Sequence, residues 1–321
     1  MTSLDFLRND SSATPTPQSP AKTTNEGEKL SVQCFKAKGP SKGTLLFLSG
    51  FPDTHNTFRD TLVPTLSKEY RCIVACLPDF DKPALGKTFG YSPQEIVERL
   101  DRTVTDLAPD GLAALVLHDW GSVYGLAWYR ENHGRAEKLV CLDVFGDDVV
   151  LDAWENSWRD LAYVCAYQWW LMMAFAAGCL VPWVGDLLMG LLAISPLSPD
   201  KAPPPPGVLC PPHGPRWFMC YPYLHEWAAR CRGRRPNRRL GDELAPTLYA
   251  FGLRKRVQFH SKRAVAALAN DPRHRVRAYD CGHWLQHAVP EELSLEILDF
   301  LATRSNAETR VERTTAAPEA A

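Results

Sequence analysis

What this chain lacks narrows its chemistry first. There is no excess of charge, since 36 Lys and Arg against 37 Asp and Glu leave a formal net charge of -1. No global field draws such a protein to a polyanion, so no nucleic-acid partner is expected. The 10 cysteines include no CxxC pair and no His/Cys spacing of a zinc site. Neither a disulfide framework nor a metal is expected, and the cysteine usage fits a reducing, cytoplasmic compartment. The opening MTSLDFLRND has no basic start followed by an apolar run, so no secretory signal is read there. Residues 1–29 and 304–321 have little to build a core from, being dominated by Ser, Thr, Pro, Asn, Glu and similar residues. They read as a disordered leader and tail. No cofactor is expected.

What is present is a rhythm of short apolar runs: TLLFLSG (44–50), CIVACLP (72–78), ALVLHD (114–119), KLVCLDV (138–144), PTLYAFG (246–252) and HRVRAYD (274–280). The first four are apolar on both faces, as parallel strands between two helix layers are, and the last two repeat the pattern. Helical stretches alternate with them; one is announced by Ser92 as N-cap with Glu95 three residues on. The reading is an α/β fold, a mostly parallel doubly wound sheet formed by residues 30–149 and 246–303.

Between residues 150 and 245 the rhythm breaks. Residues 161–185 contain no Asp, Glu, Lys or Arg, and six arginines fall between Arg230 and Arg239. The uncharged stretch has the length of a transmembrane helix, but Gln168, Gly178, Pro182 and Gly185 interrupt it. It reads as an inserted helical cap over the carboxyl edge of the sheet, where α/β folds bind ligands. Its apolar surface makes peripheral membrane contact an expectation, and the arginine run reads as a solvated face.

In LVLHDWGSVYGLAWY (115–129), two side chains compete as nucleophile. A strand turning sharply into a helix needs small neighbours around the attacking residue. Gly121 follows Asp119 by two, whereas Ser122 is flanked at that spacing by Trp120 and Tyr124. Asp119 is therefore favoured, although Leu117 stands where a glycine would be expected. A carboxylate nucleophile suits displacement at saturated carbon, giving an ester that water must then hydrolyse. His283, in YDCGHWLQHAVPEEL before the last helix, supplies the base, and its place late in the chain matches the order of α/β-hydrolases. SGFPD (49–53) supplies a loop whose Phe51 N–H, together with that of Trp120, can hold an oxyanion.

HDWGS, SGFPD and DCGHWLQ together resemble the epoxide hydrolase and haloalkane dehalogenase branch of the α/β-hydrolase superfamily, over residues 30–303. The resemblance implies an Asp119 nucleophile followed by a Trp, and a His283 that activates water. YQWW (167–170) resembles the motif whose Tyr, here Tyr167, hydrogen-bonds the epoxide oxygen. A second tyrosine is implied near the end of the cap, where either Tyr221 or Tyr223 could serve. The implied substrate is a hydrophobic small molecule, an epoxide opened to a diol. Departures accompany the likeness. Ser49 stands where the branch has His, and Lys255 where the acid of the triad usually follows the PTLYAFG strand. Some dehalogenases place that acid after the preceding strand, which makes Asp143 the replacement, with Asp147 and Asp148 behind it. A dehalogenase is the first alternative, weakened by Phe51 where those enzymes carry a halide-binding Asn. A binding or membrane-associated homologue with weak catalysis is the second, motivated by Lys255 and Ser49.

Overall fold

The computed structural model describes residues 29–146, 157–195, 214–233 and 244–303. The six expected apolar runs form strands: β2 (Thr44–Leu48), β3 (Arg71–Cys76), β4 (Ala114–His118), β5 (Leu139–Leu142), β6 (Thr247–Gly252) and β7 (Arg275–Tyr279). They pair in parallel, in the order β3-β2-β4-β5-β6-β7. A further strand, β1 (Ser31–Phe35), joins antiparallel to β3 at the edge. Its SVQCF is only half-buried, as suits an edge strand, and so carries no continuous apolar run to betray it.

The helices are α1 (Asn56–Arg59), α2 (Val63–Leu66), α3 (Pro93–Leu107), α4 (Trp120–Glu131), α5 (Trp158–Leu180), α6 (Pro182–Ile194), α7 (Tyr221–Cys231), α8 (Lys262–Asn270), α9 (Leu285–Ala288) and α10 (Pro290–Ala302). Alternate strand residues feed two cores because side chains alternate across a sheet. Leu46, Ile73, Leu115 and Cys141 pack on the side covered by α3 and α4. Leu45, Val74, Val116 and Val140 pack on the side covered by α2 and α10. The sheet is thus doubly wound. At the start of α3, Ser92 and Glu95 form the expected reciprocal capping box.

The long uncharged stretch is a helical hairpin. α5 ends at Leu180 and α6 restarts with Pro182 at its first position. Gly178 and Gly185 make the corner: a Cβ on Gly178 would lie 2.1 Å from the Trp217 ring, and one on Gly185 2.7 Å from the Gly178 Cα. Of the helices described, α5 alone is long and apolar enough to cross a membrane by length and composition. Residues 1–28 and 304–321, Asp147, Asp148 and residues 234–243 of the arginine run lie outside the described residues.

Candidate active site

Asp119 follows directly on β4 with φ 53° and ψ -128°, a conformation that costs a side-chain-bearing residue strain and that recurs at functional turns. The turn is possible because its neighbours have no side chains. A Cβ on Gly121 would lie 2.0 Å from the Leu48 carbonyl oxygen, and one on Gly50 2.2 Å from Asp119 Oδ1. Leu117 also finds its room: a Cβ on Gly125 would come within 2.3 Å of Leu117 Cδ2. The space that a glycine before the nucleophile would leave is supplied by one on α4 instead. Ser122 lies wholly buried on α4, where its N–H donates to the Asp119 carbonyl at 2.9 Å. It does not line the cavity that Asp119 faces.

Three of the expected residues converge. The Phe51 N–H donates to Asp119 Oδ1 at 2.7 Å, and Asp119 Oδ2 lies 3.6 Å from His283 Nε2. The Trp120 amide is at the same junction, 2.2 Å from where a Gly50 Cβ would stand. On its other side, His283 Nδ1 hydrogen-bonds Asp143 Oδ2. Asp143 sits just past β5 with φ 66° and no exposure. Its Oδ1 accepts the Gly252 N–H at 3.0 Å and meets Lys255 Nζ at 2.7 Å. Lys255, at the position where the acid was expected, therefore pairs with the acid that replaces it.

These charges set the proton affinities. Burial disfavours imidazolium at His283, but the Asp143 and Asp119 carboxylates outweigh it, and its pKa rises to about 10. Burial alone would raise the Asp143 pKa; Lys255 and His283 overcome it and hold the carboxyl well below the usual range. His260, against Tyr249 beneath this cluster, is pushed down to about 4 by burial and by Lys255.

Above Asp119 is a small open cavity lined by Trp120, Tyr167, Gln168, Tyr223 and Phe259 among others. The Tyr167 and Tyr223 rings lie 6.4 Å apart. Burial first, then the Asp119 charge, raises the Tyr223 pKa; at Tyr167 burial dominates and Asp119 adds to it. Both phenols thus keep their protons as potential donors. Tyr221 is elsewhere. Its hydroxyl donates to the Pro78 carbonyl at 3.1 Å, and its ring packs on Phe80 and Tyr91. Of the two tyrosines left open by the sequence, Tyr223 faces the cavity.

Sequence reasoning missed the layer below His283. His118 Nε2 approaches the His283 carbonyl at 3.1 Å, and the two rings lie 4.5 Å apart. Asp53, wholly buried, lies 3.3 Å from His118 Nδ1 and accepts the Trp284 indole N–H at 3.2 Å. Both residues sit inside the motifs already singled out, HDWGS and SGFPD. A polar residue at the buried end of an apolar strand was the available signal.

The fold and the elbow define an α/β-hydrolase, and comparison with known proteins agrees. The alpha/beta hydrolase fold family matches residues 43–288, so the chain belongs to that family. The cis-3-alkyl-4-alkyloxetan-2-one decarboxylase of Xanthomonas campestris is 35% identical over 112 residues, 32% of this chain and 37% of that protein. EphD of Mycobacterium tuberculosis is 22% identical over 188 residues, 54% of this chain and 31% of that protein. The chain thus spans about a third of the length of the curated relatives it matches. Among solved structures, the Bacillus megaterium epoxide hydrolase superposes with TM-score 0.61 at 16% identity, covering 85% of this chain and 97% of that one. AqDC, which recognises and ring-cleaves the Pseudomonas quinolone signal, gives TM-score 0.58 at 17% identity, with the same coverage. At these identities the likeness to solved structures establishes the fold.

Proposed function

We propose that the protein is an epoxide hydrolase-like enzyme that opens a hydrophobic epoxide to a diol through an ester on Asp119. The observation carrying this reading is one carboxylate placed between the Phe51 N–H and His283, under a cavity lined by two buried phenols. Oδ2 attacks a ring carbon, the carbon–oxygen bond breaks, and the leaving alkoxide takes a proton from Tyr223 or Tyr167. Oδ1, held by Phe51, becomes the carbonyl oxygen of the ester. His283 Nε2 then removes a proton from water, which attacks that carbonyl carbon. The resulting oxyanion is held by the Phe51 and Trp120 amides. Collapse expels the alkoxide, which takes the proton from His283 and leaves Asp119 as the acid. Its proton passes by way of His283 to replace the one the phenol gave up, and the carboxylate is restored.

The test is a single turnover in oxygen-18 water. One labelled oxygen is expected in the Asp119 carboxylate; an unlabelled Asp119 with a labelled diol means that water attacks the substrate directly, and the ester route falls.

A second reading has its own support, the 35% match to an oxetanone decarboxylase. Such a strained ring also presents a saturated carbon bonded to oxygen, within reach of the same nucleophile. Carbon dioxide release from a dialkyl oxetanone, without diol formation from styrene oxide, would favour it. Halide release from a bromoalkane would favour a dehalogenase, for which the tyrosine pair has no use. The Lys255–Asp143 pair removes one motive for a purely binding role, because it leaves His283 an acid partner.

A further inference from the structure

The outer face of the cap hairpin is apolar where a soluble helix carries charge. On α5 the exposed positions Ala162, Ala166, Trp169, Met173, Ala176 and Leu180 recur at helical spacing, without a polar side chain among them. α6 extends the face with Trp183, Leu187 and Leu191, 68%, 51% and 41% exposed; Leu180 is 85% exposed. The inner face of α5 is equally apolar, with Tyr163, Leu171 and Phe175 buried against the rest of the cap. A contiguous apolar surface of this kind on a soluble protein marks an interaction site.

We propose that this face docks on an anionic lipid surface. Two features of the cap choose lipid. Tryptophan opens α5, recurs at the middle of its stripe and stands at the start of α6: Trp158 is 67% exposed, Trp169 46%, and Trp183 opens the second helix. Indole rings favour the boundary between headgroups and acyl chains. Arginine accompanies them. The exposed Arg159 lies over the Trp158 ring at 5.6 Å. Trp169 packs on Trp227 of α7 at 5.3 Å, and α7 ends at the exposed Arg232. Anionic headgroups complement these cations, whereas the apolar stripe of a second copy offers them nothing. α5 also carries Tyr167 on its inner side, so the docked helix would form one wall of the candidate active site. The docking itself does not depend on which reaction occurs there.

The experiment is co-sedimentation of the full chain with phosphatidylcholine vesicles, with and without phosphatidylserine, at low and high salt. Binding is expected to require the anionic lipid and to weaken with salt. The triple variant Leu180→Glu/Trp183→Glu/Leu187→Glu replaces exposed side chains only, and its partition should fall by at least about 100-fold, given the transfer energy of three apolar side chains. Its circular dichroism and thermal midpoint, measured in parallel, establish that it is folded. A second variant, Arg159→Glu/Arg232→Glu, should lose the preference for phosphatidylserine while leaving the apolar face intact. Wild-type protein that stays in the supernatant with both vesicles overturns the proposal. So does binding that the folded triple variant retains, or a wild-type dimer in sedimentation velocity that the triple variant turns into a monomer.

Discussion

Lys255→Met perturbs the site at its least expected member, and two consequences can be worked out. Nζ lies 2.7 Å from Asp143 Oδ1, with side-chain exposures of 1% and 0%. Removing one partner of a buried ion pair costs about 3–5 kcal/mol, because the other charge is left without compensation. Asp143 keeps the Gly252 N–H and His283, so the lower end, about 3 kcal/mol, applies. With an m-value of about 2–3 kcal/mol/M, the urea midpoint followed by tryptophan fluorescence falls by at least about 1 M. The second consequence is a titration. Lys255 offsets the Asp143 charge that favours imidazolium at His283. A charge one carboxylate further away than the direct neighbour, roughly 6–8 Å, acts with roughly 2–3 kcal/mol at an effective dielectric of 20. That is about 1.5–2 pH units. His283 must be neutral to deprotonate water, so the rising limb of ester hydrolysis against pH moves up by that amount in Lys255→Met. Lys255→Arg, which keeps the charge, brings the limb back even where its shape fits less well. An unmoved limb in a variant that loses the expected stability refutes the charge argument and leaves Lys255 a merely structural partner. Acid unfolding gives an independent reading. Asp143 is depressed below its ordinary 3.8, so its contribution is present above that pH and lost as pH falls through the folded value. Without Lys255 the depression shrinks, so the contribution is smaller and its loss is complete at a higher pH than in the wild type.

Further expectations bear on the other members of the site. Tyr223→Phe removes a phenol lining the cavity and should slow ring opening by about 10²–10⁴-fold. Tyr221→Phe instead loses a buried bond to the Pro78 carbonyl, costing about 1 kcal/mol in urea unfolding while single-turnover ring opening is kept. The opposite pattern in the two variants would exchange their roles. His283→Gln should stop after the first step and accumulate protein heavier by one substrate, localised to Asp119 by peptide mass spectrometry; an unmodified chain under excess epoxide contradicts the two-step scheme. For the fold, the imidazolium of His283 gives a contribution that is full below its ordinary 6.5 and lost as pH rises through about 10. In His283→Gln the alkaline limb of stability should flatten over that window.

Much of this architecture was legible because burial on both faces leaves a plain mark: β2 to β6 are short continuous runs of Leu, Val, Ile, Phe, Ala and Cys. β1 left none, since an edge strand with one wet side alternates over only five residues. Asp119 could be preferred over Ser122 from flanking bulk alone, because the strained turn excludes side chains at fixed offsets. What neighbouring elements decide was not legible. Leu117 departs from the pattern, and its compensation, Gly125, lies eight positions on, where no local rule looks for it. Tyr221 and Tyr223 are two residues apart on one helix and so point to different sides. Only the placement of α7 shows that one meets Pro78 and the other the cavity. Asp53 and His118 lie within legible motifs, but their partnership joins the loop after β2 to the end of β4, which no local pattern announces.

Lys255 bears most directly on how the two chemical steps could share one histidine. In the resting site Asp119 and Asp143 carry two negative charges, against Lys255 and a protonated His283. The four sum to zero, a balance that buried charges require. Esterification of Asp119 carries its negative charge to the leaving oxygen and so to the phenol that protonates it, which leaves His283 with Asp143 as its one carboxylate partner. The proton that restores the phenol is best supplied by His283, which has just lost the carboxylate 3.6 Å from its Nε2. Its proton affinity falls at the moment a base is needed, and the Lys255 charge, which does not change, helps drive that fall. With an acid at position 255 and nothing charged at 143, the resting site would hold two carboxylates against one imidazolium, and after esterification His283 would have no neighbouring cation to lower its proton affinity. On this argument the displaced acid and the lysine are one device, and a functional swap must change both: Lys255→Asp alone adds a third carboxylate, whereas Asp143→Asn/Lys255→Asp should recover ester hydrolysis that Asp143→Asn lacks.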